Sequence, residues 1–242
     1  MRIHDNLIVL PLAVERGGQT SIFNLCLLLD DANGATLVDT GLPGQAGAIG
    51  ALLAQSGVET GSLKRIIITH QDIDHVGALA ELASRSGAEV LALDVETPMI
   101  DGTQTPRFLR PDVLQQRPEM RAVAEHFRPT PVDRQLHDGE RLDLAGGVRV
   151  IATPGHTPGH MSLYHEPSRT LISGDALTGQ DGTLNGPNQG ATLDLAQAAR
   201  SIAKLAALDI ATIVCYHGGV VQNDAGRQLR RVAREAAPPE RE

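Results

Sequence analysis

Apolar residues fall in short runs along this chain, each closed by glycine, proline, asparagine or aspartate, and the runs alternate with stretches of helical period. Residues 3–10, 21–29 and 35–38 read as strands. Gly17-Gly18 separates the first two, and "DDANGA" joins the second to the third, its Asn33-Gly34 a strong hairpin signal. After "DTGLPG" the pattern predicts a helix over 45–55, a strand over 65–69, a helix over 76–84 and a strand over 89–93. The second half repeats that style, with strands expected at 141–144, 148–152, 161–165, 170–173 and 210–215. A helix is expected over 193–208, capped by Thr192, with Leu195, Ala198, Ala199, Ile202, Leu205 and Ala206 on its apolar face. A closing helix is expected over 224–234. No linker divides the halves, so residues 1–235 read as one domain and 236–242 as a flexible tail.

The pattern weakens over 95–135, where arginines, acidic residues and prolines are scattered through "ETPMIDGTQTPRFLRPDVLQQRPEMRAVAEHFRPTPVDR". An irregular insertion with one or two short helices is expected there. It is either a lid over a site or a solvated excursion.

Composition narrows the class. The chain has 242 residues, 41% of them hydrophobic and 21% charged, enough for a sizeable core. With three Phe, two Tyr and no Trp, that core must rest on aliphatic side chains. A net charge of -8 argues against a nucleic-acid partner. Lys64 and Lys204 are the only lysines, which leaves little room for lysine chemistry. Two cysteines, Cys26 and Cys215, make no disulfide framework and suit a reducing compartment. "MRIHDNLIVLPLAVE" is broken by Asp5 and Pro11 and reads as a strand rather than a signal peptide, and no apolar run reaches transmembrane length. The expectation is a cytoplasmic protein with a small-molecule substrate, no nucleic acid and no membrane. Its oligomeric state, homodimer included, stays open.

The chemistry concentrates where strands end. In "IIITHQDIDHVGAL", His70, Asp72 and Asp74 sit at i, i+2 and i+4. In an extended segment these share one side, and His75 joins them if the chain turns. "ATPGHTPGH" offers His156 and His160, "LISGDALTG" offers Asp175, and "IVCYHGGVV" offers His217. A helical pairing of His156 with His160 fails because Pro158 and Gly159 lie between them. One strand-end histidine or aspartate is more often a turn-former than a ligand. Four such loops together point to a metal site assembled across a sheet.

Those motifs, in that order, resemble the metallo-β-lactamase superfamily over residues 37–219: Asp39 in "LVDTG", the "THQDIDH" loop, His156 in "PGHTPGH", Asp175 in "SGD" and His217 in "CYHGG". The resemblance implies an α/β fold, an αβ/βα four-layer sandwich of two mixed β-sheets flanked by helices, with two divalent metal ions at the sheet edge. It implies that one ion takes His70, His156 and Asp72, that the other takes Asp74, His75 and His217, and that Asp175 bridges both. Asp39 would organise the loop from behind. The usual family motif has histidine where this chain has Asp72, and a carboxylate there is similar to the diiron flavoproteins of the superfamily. Zinc is the family metal. A carboxylate at 72 shifts preference toward manganese or iron, or else Asp72 does not bind and the metal count falls.

Two ions sharing a water would supply a metal-bound hydroxide, and Asp74 would orient that water as the catalytic carboxylate. Members of the superfamily cleave lactones, thioesters, β-lactams and phosphodiesters, so membership does not choose the substrate. Glyoxalase-type thioesterases carry an extra helical domain for which this chain has no length left. Family lactonases carry a tyrosine after the bridging aspartate, where this chain has Thr178. Nucleic-acid processors need a basic surface. What remains is hydrolysis of a small ester, lactone or thioester. The alternatives are a non-haem iron oxygenase or diiron redox protein of the same fold, a phosphodiesterase, or a binding module without turnover.

Several neighbours have plainer expected roles. His160 reads as structural in its loop, Cys215 as a small buried hydrophobe, and Tyr216 as pointing away from the site. Residues 185–194 would form a rim or a plain loop. Arg107 and Arg110 would lie on solvated surface or meet an acidic substrate group.

Overall fold

The computed structural model describes residues 1–16, 18–118 and 120–237. The chain divides into two compact units, one of Met1–Leu12 with Leu25–Leu136, the other of Ala13–Asn24 with the chain from His137 on.

A seven-stranded sheet runs in chain order: β1 (Arg2–His4), β2 (Leu7–Arg16), β3 (Gln19–Leu28), β4 (Ala35–Val38), β5 (Leu63–Ile68), β6 (Glu89–Leu93) and β7 (Arg134–Leu136). It is mixed. β3 and β4 pair antiparallel across the Asn33-Gly34 turn, whereas β4 to β7 are mutually parallel neighbours. Parallel strands need crossovers, and α1 (Ala46–Gln55), α2 (Ile73–Val76) and α3 (Leu79–Ser86) lie in them. β4 and the run Ile66–Ile68 of β5 are buried without alternation, the pattern of strands covered on both faces. In β2 the burial changes character. Leu7 to Leu10 are all buried, and over residues 11–15 burial alternates, with Leu12 and Val14 inside.

The second unit carries a six-stranded mixed sheet in the order β15-β14-β11-β10-β9-β8. These strands are β8 (Arg141–Leu142), β9 (Val148–Ala152), β10 (Met161–His165), β11 (Thr170–Ile172), β14 (Thr212–Cys215) and β15 (Gly219–Val221). A separate hairpin joins β12 (Thr178–Gln180) to β13 (Thr183–Asn185). Helices α7 (Leu195–Leu205) and α8 (Ala225–Ala236) pack Ile202, Leu205, Leu229 and Val232 against Leu171, Leu184 and Ile213, in one aliphatic core.

Several expectations need correction. Residues 3–10 are two strands, because Asp5 and Asn6 make a turn that pairs His4 with Leu7. Of the Gly17-Gly18 pair, Gly17 lies outside the described residues, as does the expected tail from residue 238 on; the closing helix continues through Ala236. The helix expected over 76–84 starts later, as α3 (Leu79–Ser86), and a separate helical turn, α2, lies within the "THQDIDH" loop itself. The cap of α7 is Asp194, whose carboxylate accepts the Gln197 N–H at 2.8 Å, while the Thr192 hydroxyl donates to the Asn188 carbonyl. With the start moved to Leu195, that residue falls on the outer face and is 46% exposed. Residues 95–135 are more built than expected. They hold α4 (Thr97–Ile100), a 3₁₀ turn at Arg107–Leu109, α5 (Pro111–Gln116) and α6 (Met120–Ala124). Phe108 and Phe127, both buried, meet edge to face at 5.1 Å and give the segment an aromatic anchor. Among the described residues, no helix is long and apolar enough to cross a membrane.

Gly77, between α2 and α3, is where the two loops of the first unit touch. A Cβ there would stand 2.3 Å from the Pro43 nitrogen and 2.4 Å from the Leu42 carbonyl carbon, both backbone atoms. Gly77→Ala should therefore lower stability by roughly 2–3 kcal/mol. Gly47→Ala, in α1 with open space around it, should leave the melting temperature level or slightly raised. Thermal melts of the two variants side by side check the contrast.

Candidate metal centre

Strand direction explains where the ligand-type residues gather. In the first unit β4 and β5 are parallel, so the loops after Val38 and Ile68 leave the sheet from the same edge. In the second unit β11 and β14 are parallel. β9 runs the same way as β11, because both are antiparallel to β10. The loops carrying His156, Asp175 and His217 therefore share the carboxyl edge of that sheet, the usual place for a site in an open α/β fold.

Asp39 anchors the first unit's loops. It is 1% exposed and sits at φ 63°, a left-handed conformation that turns its side chain across the end of β5. One carboxylate oxygen accepts the Thr69 N–H at 2.9 Å, and the other lies 2.9 Å from His75 Nδ1. A carboxylate only accepts, so His75 carries its proton on Nδ1 and turns the Nε2 lone pair outward for a ligand. The Thr69 hydroxyl donates to Asp39 and stands 3.0 Å from His70 Nδ1, which sets the same tautomer on His70. Both imidazoles are fully buried.

The extended geometry expected for the motif ends at Asp72. There the chain turns into α2, with the His75 and Val76 amides donating to the Asp72 carbonyl at 2.8 and 3.0 Å. Asp74 and His75 thus come off one helical turn, and the i, i+2, i+4 alternation does not describe them. The Asp72 side chain meets Arg107: Nε and Nη2 of the guanidinium donate to its two carboxylate oxygens. Arg107 is thereby placed against the motif rather than on solvated surface, with 17% of its side chain exposed. Arg110 pairs with Asp112 on the surface.

In the second unit, Asp175 Oδ2 lies 3.4 Å from His156 Nε2 and 3.4 Å from His217 Nε2. Its backbone is held by His160. The Asp175 N–H donates to His160 Nε2 at 2.9 Å, so His160 carries its proton on Nδ1 and passes it to the Thr153 hydroxyl. Thr153 then donates to Ser162, which donates to the Ser173 carbonyl. Both nitrogens of His160 are committed, and it is the loop histidine the sequence suggested, with a definite task. His156 is steadied by residues 185–194. The Leu193 and Asp194 amides donate to the carbonyls of His156 and Gly155. His217 is steadied by Phe23, whose ring meets it edge-on at 5.1 Å, and by Asn24, which donates to the Cys215 carbonyl. Tyr216 turns away and stacks on Phe23. Phe23, Asn24, Thr153 and Ser162 were not singled out from the sequence. A rare phenylalanine before an asparagine inside a strand was the one available signal.

Two groups of three ligand-type side chains could each hold a metal ion: His70, His156 and Asp175, and Asp74, His75 and His217, with ligand atoms in each within 4.8 Å of one another. Asp72 belongs to neither group. Imidazole nitrogens with one or two carboxylates are a donor set suited to zinc and its first-row neighbours. Beside His217, a cavity of about 450 Å³ is lined by Ser21, Ile22, Asn24, His217, Gly218 and Gly219.

A family model described as "Metallo-beta-lactamase superfamily" matches residues 21–217. The chain belongs to the metallo-β-lactamase superfamily. Its fold is the metallo-β-lactamase fold, two mixed sheets with helices. It is 33% identical over 199 residues to the "Probable metallo-hydrolase YflN" of Bacillus subtilis (strain 168), covering 75% of this chain and 74% of that one. It is 30% identical to a hydroxyacylglutathione hydrolase of Fuscovulum blasticum over 78% of this chain and 59% of that protein. The crystal structure of a metallo-β-lactamase family protein from Thermus thermophilus superposes with a TM-score of 0.69 at 28% identity, over 97% of this chain and 79% of that one. The relatives and the two side-chain groups are those of a metallo-hydrolase.

In Asp39→Asn an amide N–H replaces the acceptor that fixes the His75 tautomer, so metal affinity should fall about 10–100-fold while the circular dichroism spectrum is kept; titration calorimetry reads the loss. Burial pushes the Cys26 thiol far up, with the Asp39 charge adding to it, and raises Cys215 to about 12. A raised thiol pKa keeps the unreactive form dominant until the pH approaches it, so neither cysteine should react with a disulfide reagent at pH 8 in the folded protein. Both should react within seconds in denaturant.

Proposed function

We propose that the chain is a metal-dependent hydrolase that cleaves a small ester, lactone or thioester. The observation that carries this reading is the pair of three-residue ligand groups in a member of this superfamily. We assign one divalent ion to His70, His156 and Asp175 and a second to Asp74, His75 and His217. The Asp175 carboxylate lies near both His156 and His217 and would be available to either ion. Zinc fits these donors, and manganese or iron are the competing metals.

When bound, the ions supply a water of lowered pKa and polarise the scissile carbonyl. The chain's own residues do the rest. Asp74, in the first turn of α2, orients the attacking water and accepts its proton on a carboxylate oxygen. Asp39 and His160 hold His75 and Asp175 in place, so that little reorganisation accompanies the reaction. The cavity beside His217 is lined by no carboxylate, lysine or arginine, which suits an uncharged acyl group. A hydroxyacylglutathione hydrolase among the relatives favours the thioester within the proposed set. We read residues 1–235 as one domain because the family match at 21–217 runs through both units, and the built segment 95–135 as a lid. An iron oxygenase or diiron redox protein drew its support from an acidic ligand at position 72, and that support weakens with Arg107 on the carboxylate.

Protein purified without chelator should contain about two ions per chain by elemental analysis. It should hydrolyse at least one member of a panel of acyl thioesters, lactones and aryl esters. Dialysis against a chelator should abolish turnover and divalent ions restore it, and His75→Ala should cost at least about a hundredfold in kcat/KM. Metal-free protein that still hydrolyses the panel would sink the reading, and oxygen uptake with a thiol substrate would replace it with the oxygenase.

A further inference from the structure

Arg107 is set against the metal-loop motif by a built arrangement within the first unit. Its backbone N–H donates to Gln71 Oε1 at 2.7 Å. The Gln71 amide, backbone and side chain, donates in turn to one oxygen of Glu96, at 2.8 and 3.0 Å, and Glu96 is completely buried. The turn that carries Arg107 is pinned from its other side by Phe108 against Phe127. From this platform the guanidinium takes both oxygens of Asp72, with Arg107 17% and Asp72 15% exposed. A two-pronged, largely covered pair of this kind has high directional specificity. Asp72 Oδ2 stands 3.5 Å from His70 Nε2 even within the pair, so what withholds it from an ion held by His70 is the commitment of its lone pairs and charge to the guanidinium, not distance.

The charge balance gives the pair its meaning. A neutral ligand such as histidine at 72 would add no charge to the centre. An aspartate adds one negative charge, and Arg107 returns it to zero. We propose that Arg107 is a positioning residue that keeps Asp72 out of the first metal's ligand set. The Asp72–Arg107 pair then acts as an electrostatic equivalent of neutral histidine and preserves a zinc-type site in a chain whose motif looks built for harder ions. This rests on the metal assignment proposed above.

The test is metal binding rather than turnover. Zinc and manganese affinities and ions per chain are measured by titration calorimetry and elemental analysis for the parent, Arg107→Ala, Asp72→Asn and the double variant. Releasing the carboxylate in Arg107→Ala should tighten manganese binding about tenfold or more relative to zinc. Asp72→Asn should keep the parent's ion count, and the double variant should return to the parent's preference because nothing is left to release. Arg107→Lys, which keeps the charge but not the fork, should fall between parent and Arg107→Ala, and it serves if Arg107→Ala folds poorly. A parent that binds metal while Arg107→Ala and Arg107→Lys leave the zinc-to-manganese ratio unchanged would overturn this role of Arg107 alone. So would loss of an ion in the double variant, where no unpaired guanidinium remains to repel it, since that would make Asp72 a ligand despite its partner. A parent that binds no ion would overturn the metal assignment itself, and this inference with it.

Discussion

The buried Asp39 carboxylate is the contact on which the placement of the first unit's candidate ligand residues depends. Leaving such a group inside a protein without partners is costly, and here each oxygen is committed to the loop after the next strand. The parallel pairing of β4 with β5 brings the two strand ends side by side, and the left-handed turn at Asp39 aims the side chain across the gap. A small polar residue tolerates that backbone where a β-branched one would not. Thr40 continues the clasp, its amide and hydroxyl both donating to the His75 carbonyl, at 2.8 and 2.7 Å. Ligand placement is thus set by the neighbouring strand's loop as much as by the motif itself.

The second unit solves the same problem with neutral groups. A relay of hydroxyls from Ser173 to His160 fixes one histidine tautomer and so the acceptor that holds the Asp175 amide. Gly174 leaves room for it: a Cβ there would lie 2.6 Å from His160 Nε2. One half orients a histidine with a buried charge, the other orients a carboxylate with a neutral histidine. Each arrangement suits its group, since an anion behind an imidazole raises the basicity of its outer nitrogen and a contact to the Asp175 amide fixes that residue through its backbone.

The candidate ligand residues were legible in the sequence, because their place at strand ends follows from strand periodicity and from the glycines and prolines that flank them. His70, Asp74, His75, His156, Asp175 and His217 all fall into the two groups. What was hidden depends on partners far away along the chain. The turn at Asp72 breaks the alternation that its spacing suggested, and no local pattern reveals that Arg107, from the segment that looked irregular, meets it. The cap of α7 went to Asp194 rather than Thr192, a shift of two residues between equally good capping types. That shift was enough to turn Leu195 outward. Sheet membership of β12, β13 and β15 was equally hidden, since strands of three residues carry too little period to read.

Glu96 has a consequence for how this protein can change over generations. Segments such as 95–135 are often regarded as cassettes that can be exchanged between relatives without disturbing the scaffold. Here the first acidic residue of the segment is buried and takes both amide groups of Gln71, one position from a ligand-type histidine. Exchanging the segment as a block would strip those donors of their acceptor. A graft that respects the fold would have to begin after Glu96, so any drift in substrate preference carried by the segment must leave its first turn behind.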